Sequence, residues 1–146
     1  MVQPVRIAMW SGPRNISTAM MRAWGNRADT FVVDEPFYAY YLNATGKKHP
    51  GADEVIAAGE TDWRKVVAQL TGPIPNGQAH FFQKQMTHHL LPEVDREWLV
   101  RSDELLSYSR SARGNCFIRQ EARGPGAGRP RLCAASGDFR FRPRLA

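Results

Sequence analysis

The stretch Val5–Trp24, VRIAMWSGPRNISTAMMRAW, constrains the fold more than any other part of the chain. A short run rich in β-formers (Val5, Ile7, Met9, Trp10) passes through Ser11-Gly12-Pro13-Arg14-Asn15 into the helix-compatible Ser17-Thr18-Ala19-Met20-Met21. That order predicts strand, tight loop, helix. A loop of this kind aims backbone N–H groups and a helix N-terminus at one point, where unpaired donors and the positive end of the helix dipole favour a phosphate or sulfate. Arg14 adds a fixed charge, and the Ser17 and Thr18 hydroxyls add donors. Asn15-Ile16 stands where the Walker pattern GxxxxGK[ST] has Gly-Lys, which disfavours ATP hydrolysis through a P-loop lysine and magnesium. A plain strand-to-helix turn with Ser17 as N-cap accounts for the loop equally well when it is taken alone.

Later segments converge on the same edge. Gly25-Asn26 reads as a helix stop. Thr30-Phe31-Val32-Val33 is a continuous apolar run, as in parallel strands covered on both faces, and it ends at Asp34-Glu35. In open α/β sheets ligands sit beyond the carboxyl ends of the strands, so these carboxylates are expected beside Arg14. On the residues alone, Asp34 or Glu35 merely capping or pairing with Arg14 is one reading of this placement. Tyr38, Tyr40 and Tyr41 either line a pocket or pack. An Ala-rich helix follows Gly51-Ala52-Asp53 and ends near Gly59. Thr61 is the expected N-cap of the next helix, whose apolar face is Trp63, Val66, Val67 and Leu70. His80–Lys84 reads as a third strand, with a helix starting after it. His88 and His89 would diverge by about 100° on such a helix and so cannot share a metal. One of them faces the site or is simply structural, and the other lies at the surface.

Two of these segments resemble a known family. Pro13-Arg14-Asn15-Ile16-Ser17-Thr18, directly after a first strand, is similar to the 5′-phosphosulfate loop of sulfotransferases that use 3′-phosphoadenosine 5′-phosphosulfate (PAPS), with Ile16 in place of the usual Gly. WSGPRNISTAMM followed by VVDEPFYAYYL, and then FFQKQMTHHLLP, resembles a bacterial branch of that superfamily. The resemblance implies that Arg14, Asn15, Ile16, Ser17 and Thr18 bind the phosphosulfate and that Glu35 is the base. It implies further that Lys84 neutralises the leaving oxygen and that His88 lies near the acceptor. Arg96–Arg110 resembles a shortened version of the family's second cofactor motif, in which a strand ends in Arg and a Ser follows about two helical turns later, both holding the 3′-phosphate. Arg101 and Ser109 keep the spacing, whereas LLSYSR favours Ser107. Only Trp98-Leu99-Val100 precedes Arg101, a stub in place of a full strand. The resemblance is good over residues 5–99, partial to 110 and poor beyond, as internal deletions or reading-frame slips would leave it; an authentic short protein with an Arg-rich tail is the competing reading.

Composition limits the alternatives. A chain of 146 residues supports one domain with a real core. The net charge of +6 resides in the tail, since residues 1–100 carry ten Lys/Arg and ten Asp/Glu. Few aromatics accompany that charge, which argues against a nucleic-acid partner. Residues 111–146, rich in Arg, Gly and Pro, are expected to be poorly ordered. Cys116 and Cys133 suggest neither a disulfide framework nor a zinc site. With no membrane span or signal segment in view, a cytoplasmic protein is expected.

The expected fold is a three-layer α/β sandwich of P-loop type over residues 1–110, with a short, mostly parallel sheet that is incomplete relative to the family. Its strands are expected near 5–10, 30–34, 79–84 and 98–101. The expected function is sulfuryl transfer from PAPS to a hydroxyl or amine of a small molecule without a metal. A catalytically degenerate nucleotide- or anion-binding protein of the same fold is the alternative.

Overall fold

The computed structural model describes residues 4–101, 104–110, 116–122, 132–135 and 138–141. Strand β1 (Val5–Ser11) is central in a five-stranded sheet with β2 (Thr30–Asp34), β3 (His80–Met86), β4 (Glu104–Arg110) and β5 (Cys116–Ala122), in the order β2-β3-β1-β4-β5. The first four strands are parallel and β5 is antiparallel to β4. A separate antiparallel pair, β6 (Leu132–Ala135) and β7 (Asp138–Phe141), also falls in the tail, and the remaining tail residues lie outside the described ones.

The alternation of side chains along β1 builds the layers. Ile7 and Met9 point to one face, where they join Phe82 and are covered by Met20, Met21 and Trp24 of α1 (Ser17–Gly25). Ala8 and Trp10 point to the other. There they meet Phe37, Tyr40 of α2 (Tyr38–Thr45), Val66 and Leu70 of α4 (Trp63–Thr71), and Trp98 and Leu99. Helix α3 (Ala52–Ala58) packs along α2. The result is the α/β three-layer arrangement expected. Each fully buried aromatic or aliphatic side chain of these two clusters contributes about 1.5–3 kcal/mol.

The core also explains where local expectations fail. The helix after Gly59 is capped by Asp62, not Thr61, because the Asp62 carboxylate accepts the Arg64 amide at 2.9 Å. Trp98–Arg101 is not a strand: Glu97–Arg101 is a 3-10 turn that drops Trp98 and Leu99 into the core, and the fourth strand comes afterwards as β4. Nor does a helix follow Lys84. The third strand continues to Met86 and ends in a 3-10 turn, Thr87–His89. Helix α2 was not foreseen, although Gly46, left-handed at φ 62° after Thr45, is its C-terminal signal.

Candidate active site at the carboxyl edge of the sheet

Register brings the ends of the parallel strands to one edge: Ser11 pairs with Met86, and Asp34 with Lys84. The loop after β1 holds Arg14 in a left-handed conformation, φ 57°, and Arg14 is exposed with no hydrogen bond or ion pair to the described residues. Asn15 locks the turn. Its Nδ2 donates to the Gly12 carbonyl at 2.8 Å and its Oδ1 accepts the Ser17 amide at 2.9 Å. Ser17 is therefore the first helical residue and not the cap, with Ile16 in the cap position and half-exposed. Ser17 is buried, whereas Thr18 is exposed on the first turn.

Glu35 is the second strained residue, at φ 44° directly after β2. A non-glycine residue in this region costs on the order of 1–3 kcal/mol and persists only where its surroundings over-determine it. Here three bonds do so. The Glu35 amide extends the ladder to the Lys84 carbonyl at 2.9 Å, and its own carbonyl accepts from the Tyr38 amide at 2.9 Å. Its carboxylate accepts from Lys84 Nζ at 2.7 Å.

Lys84 also donates to Asp34 at 2.7 Å, so one ammonium holds both carboxylates. Neither carboxylate pairs with Arg14. The Lys84 side chain is only 4% exposed, while those of Asp34 and Glu35 are 48% and 26% exposed. Burial alone would lower the Lys84 pKa, but the hydrogen bonds and charges of Asp34 and Glu35 outweigh it and the net shift is upward. An ammonium has three N–H donors, and two are committed here.

Beside this triad lies a cleft of about 220 Å³ lined by Pro13, Glu35, Tyr38, Tyr41, His88 and His89, among others. Both histidines line it, the exposed His88 lying at the surface as expected of one of the pair; the 3-10 turn sets their rings 4.3 Å apart at 70°. His89 is buried and stacks on Tyr38 at 4.9 Å. Burial first, and then the nearby His88, Lys84 and Lys47 charges, push its pKa down to about 3, and its Nδ1 has no hydrogen-bond partner. His88 is more accessible and sits edge-on to Tyr41 at 5.5 Å. Partial desolvation lowers its pKa, with Glu35 acting in the opposite direction and Lys47 in the same one. Tyr38 and Tyr41 line the cleft, but Tyr40 packs in the core and donates to Glu93 at 2.8 Å, and burial followed by that bond raises its pKa to about 12.

The remaining expected residues are not gathered in the same way. Ser107 and Ser109 are on β4, where Ser107 pairs with Trp10 and the strand runs on past Ser11 toward the carboxyl edge. Arg101 ends the 3-10 turn ahead of β4, at the amino-terminal side of that strand. The strand-then-helix arrangement expected for Arg101 and the serines is therefore absent, because the strand follows Arg101 and carries the serines. Sequence reasoning missed Lys47 and His49, which also line the cleft. They follow the unforeseen α2, so no signal tied them to the edge. Among the described residues no cluster of metal-ligating side chains is found, and no helix is long and apolar enough to cross a membrane.

A three-layer α/β fold with a strand-loop-helix turn after its central strand, and with Asp34, Glu35 and Lys84 joined at the ends of the next two strands, sets the candidate site at the sheet's carboxyl edge. The family model described as "Sulfotransferase domain" matches residues 5–114, and the chain belongs to that family. Two curated relatives come from Arabidopsis thaliana. Branched-chain-amino-acid aminotransferase-like protein 1 is 48% identical over 70 residues, covering 48% of this chain and 13% of that protein. Branched-chain-amino-acid aminotransferase-like protein 2 is 42% identical over 64 residues, covering 44% of this chain and 11% of that protein. The chain thus matches about an eighth of the length of these relatives. No solved structure matches it.

Proposed function

We propose that the protein transfers a sulfuryl group from PAPS to a hydroxyl or amine of a small molecule, in the cytoplasm. The observation that carries this reading is the convergence of Pro13, Glu35 and His88, from the segments after β1, β2 and β3, on one cleft in a chain of the sulfotransferase family.

The free guanidinium of Arg14 and the exposed Thr18 hydroxyl suit the phosphosulfate. The Ser17 amide becomes available once the anion displaces Asn15 Oδ1, and the Ile16 backbone belongs to the same turn. The acceptor oxygen or nitrogen attacks sulfur, the bond from sulfur to the bridging oxygen breaks, and the phosphate leaves with that electron pair. The acceptor's proton passes to Glu35. Lys84 fixes the Glu35 carboxylate, and its remaining N–H is the donor for the departing oxygen. His88, kept neutral near pH 7 by its lowered pKa, orients the acceptor or relays the proton. The residues supply orientation and charge stabilisation without calling on a metal.

A second reading, a catalytically degenerate nucleotide- or anion-binding protein, is favoured by one observation: Arg101 precedes β4 instead of ending a strand at the carboxyl edge. Two measurements separate the readings. Transfer of labelled sulfate from PAPS tests the enzyme. Thermal stabilisation by adenosine 3′,5′-bisphosphate compared with the 5′-monophosphate tests the Arg101, Ser107 and Ser109 assignments. Binding without turnover for any acceptor supports the degenerate protein; no binding of either nucleotide refutes both.

A further inference from the structure

The cleft has a graded lining. Glu35 lines it, its charge held by Lys84. Its walls are aromatic: Tyr38 stacks on His89, Tyr41 packs against His89 at 4.8 Å and His88 at 5.5 Å, and His49 stands edge-on to Tyr38 at 6.1 Å. His89 is uncharged at neutral pH, so these walls are largely neutral π surface. The exposed Lys47 also lines it, its Nζ 3.3 Å from the Tyr41 hydroxyl and 5.8 Å from the centre of its ring. Lys47 pairs with no carboxylate among the described residues, and its ammonium keeps two donors beyond the one on Tyr41. The carboxylate of Glu35 is already answered by Lys84, which leaves Lys47 as the uncompensated charge on the lining.

Size narrows the occupant. A cavity of about 150 Å³ takes a benzene ring, and this cleft, at about 220 Å³, has room for one ring with two small substituents. Flat π systems pack face-on or edge-on against tyrosine and imidazole rings, which a puckered aliphatic ring does less well.

From this lining we infer that the acceptor is a single planar aromatic ring bearing the reactive hydroxyl toward Glu35 and an anionic group toward Lys47, which makes Lys47 the specificity-determining residue. This rests on the sulfuryl-transfer reading only for the word acceptor; the binding preference stands apart from it. An aromatic carboxylate with a para hydroxyl carries both groups on one flat ring. A cationic amine at the same end is repelled by Lys47.

Calorimetric titration of the intact chain without nucleotide tests the preference, using 4-hydroxybenzoate, phenol, tyramine and 4-hydroxycyclohexanecarboxylate. The expected result is that 4-hydroxybenzoate binds at least about tenfold more tightly than the other three, in line with one charge-assisted hydrogen bond. Lys47→Met removes that advantage and leaves phenol unchanged, whereas Lys47→Arg retains it. Because Lys47 is exposed, neither variant threatens the fold. Equal affinities, an advantage that survives Lys47→Met, tight binding of the cyclohexane analogue, or no binding of any of the four at millimolar concentration overturns the inference. The transfer assay with PAPS is then run on 4-hydroxybenzoate. Selective binding without turnover sinks the transferase reading and leaves the preference intact, while turnover of neutral or cationic acceptors in preference to it sinks the preference and leaves the transferase.

Discussion

His89 ties the candidate site to the stability of the whole fold. Its folded pKa of about 3 lies below the ordinary value of 6.5, so between those values the unfolded chain binds a proton that the folded chain refuses. The stability it permits is therefore complete above pH 6.5 and is lost as pH falls toward 3. Integrating the proton linkage gives a loss of about 2 kcal/mol at pH 5 and between about 4 and 5 kcal/mol by pH 3. For a chain of this size 2 kcal/mol corresponds to about 4–8 °C in melting temperature. Replacing His89 with Phe keeps a flat ring against Tyr38 and removes both the titration and the orphaned buried Nδ1. The variant should gain stability at pH 7.5, because an unsatisfied buried polar atom costs about 1–3 kcal/mol. Between pH 7.5 and 5 it should lose about 2 kcal/mol less than the parent does. Urea unfolding of both proteins at the two pH values reads this directly, since the two chains differ only at position 89. Parallel losses in the two proteins would mean that His89 does not resist protonation and that the wall of the cleft is not dry.

Four other outcomes follow from the same geometry. Lys84→Met leaves two adjacent carboxylates without their shared cation and should cost about 2–4 kcal/mol in denaturant unfolding, below the full penalty for a buried pair because Asp34 and Glu35 reach solvent. The raised Lys84 pKa means that its contribution is whole at neutral pH and lost as pH rises past 10.5, so parent and variant should converge in stability only in strong alkali. Arg14→Ala removes an exposed cation that stabilises nothing in the described structure, so melting should be unchanged while affinity for adenosine 3′,5′-bisphosphate, measured by calorimetry, falls about 10- to 150-fold. Glu35→Gln should keep nucleotide affinity and lower kcat about 10²- to 10⁴-fold in the labelled-sulfate assay, and full activity would remove Glu35 from the role of base. Gly59→Ala sets a new Cβ 2.5 Å from the Cβ of Ala39 and 3.0 Å from the Val55 carbonyl, so thermal unfolding should report a loss of about 1–3 kcal/mol.

What the sequence alone determined was local and periodic. Alternation and apolar runs located β1, β2 and most of β3, because a strand's two faces are written into every second residue. Helical spacing gave the Val66–Leu70 face, and the strand-loop-helix order around Arg14 gave the edge on which Glu35 should arrive. The resemblance to sulfotransferases rested on those same short segments, and the family match over residues 5–114 agrees with it. What only the tertiary structure decided was everything that depends on which side chains share a volume. The pairing of Lys84 with both Asp34 and Glu35 spans some 50 residues and follows from parallel register, which no local pattern encodes. The same holds for Trp98 and Leu99: their apolar character suits a strand, but they join Trp10, Val66 and Leu70 in the core from a 3-10 turn, and the fourth strand follows at Glu104–Arg110. The cleft itself is a product of packing, since a turn geometry that rotates His88 and His89 onto Tyr38 and Tyr41 decides which rings meet, and sequence adjacency by itself cannot.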